Sequence, residues 1–478
     1  MRHSFLALFN HTSSGGLRER LCHTLREAIT RGHLQHQQRL PSSRQLAEDL
    51  SLSRVTVEAA YAQLESEGYL ERRAGRGTFV SIAIPARAVT TPAQNSPRFS
   101  RRGEQILATG GCQDPPFPHA FAAGSPELRA FPHTQWRRIS NSVQRSLGSQ
   151  VMSYGDPLGF MPLRDAVADY LALSRGVRCA AGQVVILTSS QQALQLLALM
   201  LLDANDEVWL EEPGYPGARN AFLAAGAHCR AMPLDSEGAM PLEGDARLVY
   251  LTPGHHYPTG TAMSLARRLQ WLDWAHQQQS WLIEDDYDSE FHYDDRPLPA
   301  LQGLEDNSRV ICLGTFSKTL FPSLRLAWMV VPPALVDAMG RARSILDGHS
   351  ALLPQAITAE FLQQGHFASH LRLMRQLYHS RRDRLLEQIN TRLQPWLTPL
   401  QASGGLQLTV ALHQGEEAQL TQQAREIGLL LPRLSPLYAH SQPLPGWLLG
   451  FAALTPGEIV SACDKLVTLL SRYAQTSR

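Results

Sequence analysis

The chain has 478 residues, of which 44 are lysine or arginine and 43 are aspartate or glutamate. This length favours two or three domains, and a hydrophobic fraction of 44% with a charged fraction of 18% excludes a mainly disordered chain. No apolar run reaches the roughly 20 residues that cross a bilayer, so we expect no membrane partner. The apolar stretch in the start MRHSFLALFN is too short for a secretory signal, so we expect a cytoplasmic protein. The six scattered cysteines include no CxxC pair, which favours reduced thiols and predicts no metal site.

Charge divides the chain unevenly. Residues 1–102 hold 15 arginines and 8 acidic residues, a net charge of +7, whereas the remainder holds 29 basic and 35 acidic residues. A basic N-terminal fifth indicates a module with an anionic partner, most often nucleic acid. Only two of the basic residues are lysines, Lys318 and Lys465. Coding bias alone could produce this ratio, but a surviving lysine is a candidate for chemistry that arginine cannot perform.

The first domain is predicted to span residues 11–81. Leu17, Leu21, Leu25 and Ala28 repeat at helical spacing and predict a helix that ends near Gly32. A second helix begins at Pro41-Ser42-Ser43, and a tight turn over 51–53 leads to a third, which Ser53 caps. The third helix has a buried face formed by Val57, Ala60, Tyr61 and Leu64.

The exposed residues of the third helix are suited to reading DNA. Arg54, Thr56 and Glu58 face outward near its N-terminus, where a recognition helix meets the edges of the major groove. The segment YLERRAGRGTFV then predicts a hairpin with a basic tip at Gly75-Arg76-Gly77. Helices followed by a hairpin make a winged helix-turn-helix. The alternative is a small helical dimerisation module with solvated arginines.

The stretches LPSSRQLAEDLSLSRVTVEAAYAQLESEGYL and GRGTFV resemble the DNA-binding domain of GntR-type bacterial regulators over about 70 residues. The resemblance implies that double-stranded operator DNA is the partner. It also implies a set of residues that approach the DNA, namely Ser43, Arg44, Arg54, Thr56, Arg76 and Gly77.

Residues 82–118 are predicted to be a linker. They contain six prolines together with Arg98, Arg101 and Arg102, and we find no helical or alternating period in them. The arginines of such a linker are either solvated or contact a phosphate backbone.

The second domain, 119–478, alternates apolar runs with helical segments, which predicts an α/β unit with a mostly parallel sheet. The predicted strands are Val184–Leu187, Glu207–Leu210, Leu248–Leu251, Trp281–Glu284, Val310–Leu313 and Leu326–Val331. The predicted helices are Leu163–Leu173, Gln192–Leu202 and Leu265–His276. Ligands of such a fold bind at the carboxyl ends of the strands.

Polar residues follow several of these strands. Lys318 lies five residues past one strand and Arg325 seven residues further on, a spacing that suits an aldehyde cofactor bearing a phosphate, held as an imine. Asp285 and Tyr287 follow another strand, where a buried carboxylate can pair with a protonated pyridine nitrogen. TSSQQAL starts a helix with hydroxyls that suit a phosphate, and Tyr215 can stack on a flat ring. Taken singly, each element also fits a solvated lysine, a surface pair or a plain helix cap.

Taken in order, these elements resemble the pyridoxal-phosphate aminotransferases of fold type I, and YGDPLGFMPLRDAVADYL at 154–171 is similar to their opening motif. The resemblance implies pyridoxal 5'-phosphate as the cofactor, Lys318 as the catalytic, Schiff-base lysine and Asp285 on the pyridine nitrogen. Tyr287 would lie near the ring hydroxyl and Tyr215 on the ring face. The phosphate would be held by Ser190, Thr315, Ser317 and Arg325, and by Tyr154 of a second subunit in a dimer, and Ser189 and Gln191 would also bind the cofactor.

Three positions depart from that family. Tyr257 precedes Pro258 where asparagine is usual, and Ser189 replaces an expected glycine. No arginine for a substrate carboxylate occurs in residues 447–454, which leaves Arg433 and Arg219 as candidates. These changes weaken the case for transamination more than the case for cofactor binding.

The whole chain resembles the MocR-type regulators, in which a GntR-type reader is joined to an aminotransferase-like domain. We therefore expect a transcriptional regulator that carries pyridoxal 5'-phosphate on Lys318, senses a small amine, amino acid or B6 vitamer, and forms a head-to-tail homodimer. One alternative is a working aminotransferase with an appended DNA anchor. Another is a regulator whose large domain has lost the cofactor.

Overall fold

A computed structural model describes residues 9, 16–82, 98–108, 120–293, 298–304, 309–401 and 403–476. The chain divides into two compact units, Met1–Arg98 and Phe99–Arg478. This division falls inside the predicted linker, most of which lies outside the described residues.

The first unit is a winged helix-turn-helix, as predicted. Its helices are α1 (Leu17–Thr30), α2 (Ser43–Leu50) and α3 (Arg54–Ser66). The antiparallel hairpin of β1 (Leu70–Arg73) and β2 (Gly77–Val80) follows. The core contains Leu21, Leu25, Val57, Ala60 and Leu64, each at most 1% exposed, so the apolar spacing in α1 and α3 corresponds to packed helix faces.

Serine caps fix where α2 and α3 begin. Ser42 accepts a hydrogen bond from the backbone N–H of Gln45, and Ser53 accepts one from the N–H of Thr56 at 3.1 Å. Such caps satisfy donors that a helix start leaves unpaired. Ser51 ends α2 in the left-handed region with φ 53°, which makes the turn into α3 sharp. The prediction that Ser53 caps α3 is confirmed.

The second unit is built on a seven-stranded sheet with two small accessory sheets. Its strands are β3 (Val184–Leu187), β4 (Glu207–Glu211), β5 (His228–Met232), β6 (Leu234–Asp235), β7 (Gly238–Ala239), β8 (Leu248–Leu251), β9 (Trp281–Asp286), β10 (Val310–Thr315), β11 (Ala327–Val330), β12 (Leu397–Pro399), β13 (Gln407–Leu412) and β14 (Gly446–Gly450). The main sheet has the order β3-β11-β10-β9-β8-β4-β5. Strands β10, β9, β8, β4 and β5 are parallel, and β11 is antiparallel to both of its neighbours.

Helices cover the sheet and complete the C-terminal part. They are α4 (Arg101–Ala108), α5 (His133–Leu147), α6 (Met161–Arg175), α7 (Ser190–Leu201), α8 (Pro216–Ala225), α9 (Leu265–Gln278), α10 (Leu301–Leu304), α11 (Phe316–Thr319), α12 (Val336–Leu346), α13 (Leu352–Gln363), α14 (His366–Gln388), α15 (Glu417–Glu426) and α16 (Pro456–Thr476). All residues of β3 and β8 are buried, as expected for strands covered on both faces. The six predicted strands and three predicted helices of this unit are confirmed, with ends that differ by a few residues.

The structure contradicts the predictions at one helix, and it contains strands that were not predicted, namely β5, β6, β7, β12, β13 and β14. Helix α4 lies within the stretch predicted to lack helical structure, so that interpretation is wrong at Arg101–Ala108; the surrounding prolines mask a helix of only eight residues. Strand β5 was not predicted, because its sequence HCRAM alternates exposed and buried positions at the edge of the sheet and contains no apolar run.

No described helix is long and apolar enough to cross a membrane.

Candidate functional site

The N-terminal turn of α3 presents an exposed surface in the first unit. Arg54 is exposed, and Val55 beside it is 78% exposed although it is apolar. Thr56 is half-buried, and its hydroxyl lies 2.7 Å from that of Ser53 in the cap. The sequence analysis selected Arg54 and Thr56 and missed Val55. Its position between two residues predicted to face outward could have identified Val55 as a candidate DNA contact.

Glu58 links residues of this surface. Its carboxylate accepts a hydrogen bond from the Ser43 hydroxyl at 2.6 Å and lies 3.5 Å from the Arg54 guanidinium. The Arg72 guanidinium of the hairpin lies 3.9 Å from the same carboxylate. The Ser43 hydrogen bond and the two arginines lower the pKa of Glu58. The first turns of α2 and α3 and strand β1 of the hairpin therefore share one anionic centre.

The remaining predicted DNA contacts lie on the surface of the same unit. Arg44 is exposed on α2, 3.5 Å from Glu48. Arg76 is exposed at the hairpin tip. Gly77 has a φ of 108°, and a Cβ there would lie 3.0 Å from Nε of Arg39, so the backbone needs glycine at this point.

In the second unit a cavity of about 470 Å³ lies at the carboxyl ends of the parallel strands. Six predicted site residues line it: Lys318, Asp285, Tyr287, Tyr215, Ser190 and Thr315. These residues lie at the ends of four different strands or just after them, and the sheet brings them together because parallel strands end at one edge. Volume and composition fit a ligand the size of a cofactor.

Lys318 lies on α11, directly after β10. Its Nζ donates a hydrogen bond to the carbonyl oxygen of Gly124 at 2.9 Å. Gly124 has a φ of +68°, and a Cβ at this position would lie 2.8 Å from Nζ, so only glycine lets the backbone approach the amine this closely. The sequence gave no sign of this contact, which joins residues 194 positions apart.

Asp285, on β9, is buried and has one unsatisfied oxygen. Its Oδ2 accepts a hydrogen bond from the hydroxyl of Tyr250 at 2.6 Å, while Oδ1 has no partner among the described residues. Burial raises the pKa of the Asp285 carboxyl to about 7, with Asp286 and Asp288 acting in the same direction against the Tyr250 hydrogen bond. Tyr250, on β8, was not predicted as a site residue. The free oxygen is a ready acceptor for a cationic N–H group.

Three tyrosines form an aromatic wall of the cavity. The rings of Tyr215 and Tyr257 meet edge to face with centroids 5.8 Å apart, and those of Tyr257 and Tyr287 meet in the same way at 6.0 Å. Tyr257, the departure before Pro258, therefore contributes a ring between two residues that were predicted to contact the cofactor. Edge-to-face packing holds such rings in fixed orientations.

The start of α7 supplies hydroxyls and backbone donors beside the cavity. Ser190 lines the cavity, whereas Ser189 caps the helix by accepting a hydrogen bond from the N–H of Gln192 at 3.2 Å. The Gln191 amide donates to the carbonyl of Gly217 at 2.9 Å. Ser189 and Gln191 are thus engaged in shaping the helix start, and neither lines the cavity.

Three predicted residues lie away from the cavity wall. The N–H of Ser317 donates to the Thr315 hydroxyl at 3.1 Å, so Ser317 shapes the loop. Arg325 is exposed with a left-handed φ of 54°. Tyr154 is 97% exposed, and its ring lies 5.9 Å from that of His349. The described unit alone does not bring these three residues to the cavity.

The two candidate carboxylate arginines differ in location. Arg433 lines the cavity together with Arg425 of α15, which was not predicted. Arg219 lines a separate, much smaller cavity of about 20 Å³. The geometry therefore favours Arg433 over Arg219 as the residue that meets an anionic group of a ligand.

Two buried histidines follow β8. Nδ1 of His255 lies 3.0 Å from Oδ1 of Asp288 and 3.1 Å from the Tyr287 hydroxyl. His256 lies 3.7 Å from Glu211, but burial lowers the pKa of His256 to about 3 and raises that of Glu211 to about 8, so this pair is neutral at pH 7. Within the described parts of the chain no cluster of three or more His, Cys, Asp or Glu side chains is arranged to hold a metal ion.

Comparison with protein families gives two matches. Residues 17–80 match the model for bacterial regulatory proteins of the gntR family, and residues 122–466 match aminotransferase class I and II. The chain is 40% identical over 451 residues to the probable rhizopine catabolism regulatory protein MocR of Rhizobium meliloti, covering 92% of this chain and 91% of that protein. It is 29% identical to the pyridoxine biosynthesis transcriptional regulator PdxR of Corynebacterium glutamicum, covering 91% of each.

Solved structures similar to the chain are aminotransferases. A multiple substrate aminotransferase from Thermococcus profundus aligns with a TM-score of 0.70 at 25% identity, covering 79% of this chain and 98% of that one. A kynurenine aminotransferase from Pyrococcus horikoshii, solved in complex with PMP, aligns with a TM-score of 0.69 at 26% identity, covering 79% and 96%. Both alignments cover a share of this chain close to that of the second unit.

Proposed function

The chain is a transcriptional regulator of the gntR family, of the MocR type with an aminotransferase class I and II domain, and from this premise we propose that it binds pyridoxal 5'-phosphate and senses a small amine, amino acid or B6 vitamer. It acts in the cytoplasm, where its partner, double-stranded operator DNA, is found. Effector binding changes operator occupancy to the extent that the effector's affinity differs between two poses of the protein.

The observation that carries this proposal is that Lys318 and Asp285 line the same cavity. The lysine amine and the unsatisfied Oδ1 of Asp285 belong to the same cavity, which also has an aromatic wall. A pyridine ring with a protonated nitrogen and an aldehyde fits this donor and acceptor set, since it offers an N–H to the carboxylate and a carbonyl carbon to the amine.

Each residue then has a role toward the cofactor. Lys318 would hold the cofactor through its aldehyde, Asp285 would accept a hydrogen bond from the ring N–H, and Tyr287 would lie near the ring hydroxyl. Tyr215 would pack on the ring face. Ser190 and Thr315 would meet the phosphate from the cavity wall, whereas Ser317 and Arg325 do not line the cavity and remain predicted phosphate ligands. When bound, pyridoxal 5'-phosphate supplies a carbonyl that condenses with amines and a ring that withdraws electrons.

The effector that the cavity fits best is an amino acid. Lys318 marks the end where an amine reacts, while Arg433 and Arg425 provide positive charge for an anionic group. A planar guanidinium binds a carboxylate with two parallel hydrogen bonds. An effector with an amine and a carboxylate therefore satisfies both groups, whereas a simple amine satisfies only one.

Tyr154 supports a homodimer. It is almost fully exposed and was predicted to reach a second subunit. Met152, two residues before it, is 85% exposed. Ile345, 83% exposed, lies on a neighbouring segment, since the Arg343 guanidinium donates to the carbonyl of Pro157. Exposed apolar residues on adjoining segments are typical of a surface that a partner covers. We propose that this partner is a second copy in head-to-tail orientation.

The experiment that tests the proposal uses the two lysines of the chain. The purified protein incubated with pyridoxal 5'-phosphate is expected to develop a visible absorption band, and borohydride reduction is expected to fix the cofactor on the peptide that contains Lys318. Lys318→Ala should abolish both signals and keep the circular dichroism spectrum. Lys465→Ala is the matched control and should behave as wild type. A borohydride-fixed adduct of unchanged yield in Lys318→Ala would refute the assignment.

The same cavity favours a second candidate, a working aminotransferase with an appended DNA-binding domain. The lysine and the carboxylate that bind the cofactor are also the groups that transamination requires. The two candidates differ in turnover. Repeated conversion of an amino donor to its keto acid favours the enzyme, whereas at most one half-reaction per site together with an effector-dependent change in DNA affinity favours the regulator.

A further inference from the structure

A buried chain of three polar side chains lies behind the cavity. Asp288 and His255 are 2% and 6% exposed, and they join Tyr287, which lines the cavity, through a single nitrogen. Nδ1 of His255 lies 3.0 and 3.2 Å from the two oxygens of Asp288 and 3.1 Å from the oxygen of Tyr287. Neither Asp288 nor His255 was selected as a site residue from the sequence, and the cofactor roles proposed above use neither of them.

The chemistry of these groups fixes where the protons lie. An ionised carboxylate only accepts hydrogen bonds, so Nδ1 of His255 must carry the proton that it shares with Asp288. The oxygen of Tyr287 that contacts the same Nδ1 is then an acceptor in that contact. Its own hydroxyl proton is left to donate in another direction, and the cavity is the space that Tyr287 lines.

Close packing holds this chain in place. A Cβ on Gly405 would lie 2.4 Å from Cε1 of His255 and 2.8 Å from Oδ2 of Asp288, so bare backbone is pressed against the pair. A Cβ on Gly260 would lie 3.3 Å from Nε2 of His255 on another side. The imidazole therefore has little room to turn away from Tyr287.

We propose that His255, anchored by Asp288, is a positioning residue that fixes the Tyr287 hydroxyl as a hydrogen-bond donor into the cavity. The inference rests on the proposed binding of pyridoxal 5'-phosphate, whose ring hydroxyl oxygen is the acceptor that a fixed donor would meet. The inference also accounts for Tyr257, which stands where asparagine is usual. The ring of Tyr257 packs on Tyr287, and the hydrogen bond that orients Tyr287 comes from His255.

The groups around His255 support a proton on Nδ1. Burial lowers the pKa of His255, but the charge and hydrogen bond of Asp288 outweigh it and raise the pKa. The other titratable side chains facing it are Tyr287, His256 and His292, whose ring lies 6.4 Å away. Burial and the neighbouring charge of His255 lower the pKa values of both His256 and His292, so these two are neutral and do not compete for Asp288.

The first test follows the protonation of the bound chromophore. A donor to the ring oxygen stabilises its anionic form, so losing the donor should raise the pH midpoint of the visible band by about one unit, the size of one hydrogen bond to a charged atom. We expect this rise in His255→Leu and in Tyr287→Phe, with no further rise in the double variant. His255→Gln, which keeps an N–H, should restore part of the wild-type midpoint.

A matched control separates positioning from packing. His292→Leu removes a neighbouring imidazole that contacts the His255 ring, and it should leave the midpoint unchanged. Thermal unfolding of all variants measures any loss of stability. We expect the shift in the pH midpoint to be independent of that loss. A midpoint in His255→Leu equal to that of wild type would overturn the inference.

The second test needs no cofactor. In protein with ¹⁵N-labelled histidine, the His255 signal, identified by its loss in His255→Leu, should show a protonated Nδ1, and Asp288→Asn should reduce that protonation. An unprotonated Nδ1 in wild type would overturn the inference by itself. A wild type that develops no visible band would refute cofactor binding instead, and the histidine spectra would still decide whether His255 donates to Tyr287.

Discussion

At the scale of single residues, Asp285 is the clearest case of stability given up for binding. A carboxyl group buried with one satisfied oxygen favours its neutral form, and its pKa is raised accordingly. A cationic ligand that donates to Oδ1 reverses this preference, because it supplies the missing partner and a compensating charge. The residue is therefore costly in the empty cavity and favourable in the occupied one.

This argument predicts a pH dependence. The folded pKa of about 7 exceeds the unfolded value of 3.8, so the folded protein binds the proton more tightly and the free energy of unfolding falls as pH rises from about 4 to about 7. Asp285→Asn does not titrate. Without cofactor, we expect it to be more stable than wild type by about 2 to 4 kcal/mol at pH 8 and nearly equal at pH 4.

Urea unfolding at both pH values measures this difference. Added pyridoxal 5'-phosphate should reverse the order at pH 8, since only the wild type keeps a carboxylate for the ring nitrogen. The prediction is contradicted by a difference between the two proteins that stays the same across the pH range.

At the scale of elements, α3 combines two kinds of contact. Arg54 and Val55 are adjacent on its first turn, one cationic and one apolar, and the Ser53 cap fixes the direction in which both point. Phosphate contacts set affinity and salt dependence, whereas base-edge contacts set sequence preference. The two residues are expected to respond differently to the same assays.

Arg54→Ala should weaken operator binding and reduce the slope of log affinity against log salt by about one. Arg31 provides a matched control, because it is also exposed and also pairs with a glutamate four residues away, at the far end of α1. Arg31→Ala should leave both quantities unchanged. Equal affinity and slope in wild type and Arg54→Ala would place the reading surface elsewhere.

Val55→Ser should lower affinity for the operator about 10-fold and leave affinity for unrelated DNA unchanged, because an exposed apolar side chain on a recognition helix suits the methyl group of thymine. Competition binding at one salt concentration measures both affinities, and the salt slope should not move. A parallel loss on both DNAs would indicate that Val55 acts on the fold of α3.

Elements were predictable where one local signal was enough. Serine caps and heptad-like apolar spacing predicted α1 to α3, and fully buried apolar runs such as Val184–Leu187 predicted the strands. The site was predictable at strand ends, for Lys318 and Asp285, since topology alone brings such ends together. Contacts between distant segments were not predictable, because Gly124, Tyr250 and Asp288 are ordinary in sequence and gain their roles only from neighbours far along the chain.

At the scale of the whole molecule, the exposed apolar residues Met152 and Ile345, which we assign to the dimer interface, predict assembly. Met152→Asp and Ile345→Asp each place a charge where the proposed dimer excludes water, and each should raise the dimer dissociation constant at least about 10-fold. Leu173→Asp is the control, since Leu173 is 90% exposed on α6, another element. Sedimentation velocity over a range of concentrations measures the change. Dimers of undiminished stability in both variants would contradict the proposed interface.

The backbone of residues 120–124 is held at two points, one of them the proposed cofactor lysine. Residues 120–124 begin the described part that follows the linker. Phe121 pairs with Gly450, and the carbonyl oxygen of Gly124 accepts a hydrogen bond from Nζ of Lys318. The pairing at Phe121 does not depend on Lys318, but the bond at Gly124 lasts only while Nζ has a proton to give in that direction. If Nζ held the cofactor proposed above, it would have fewer N–H bonds to donate to Gly124. Cofactor binding would therefore weaken the attachment of Gly124 to Lys318, while the pairing of Phe121 with Gly450 would still hold this segment to the second unit.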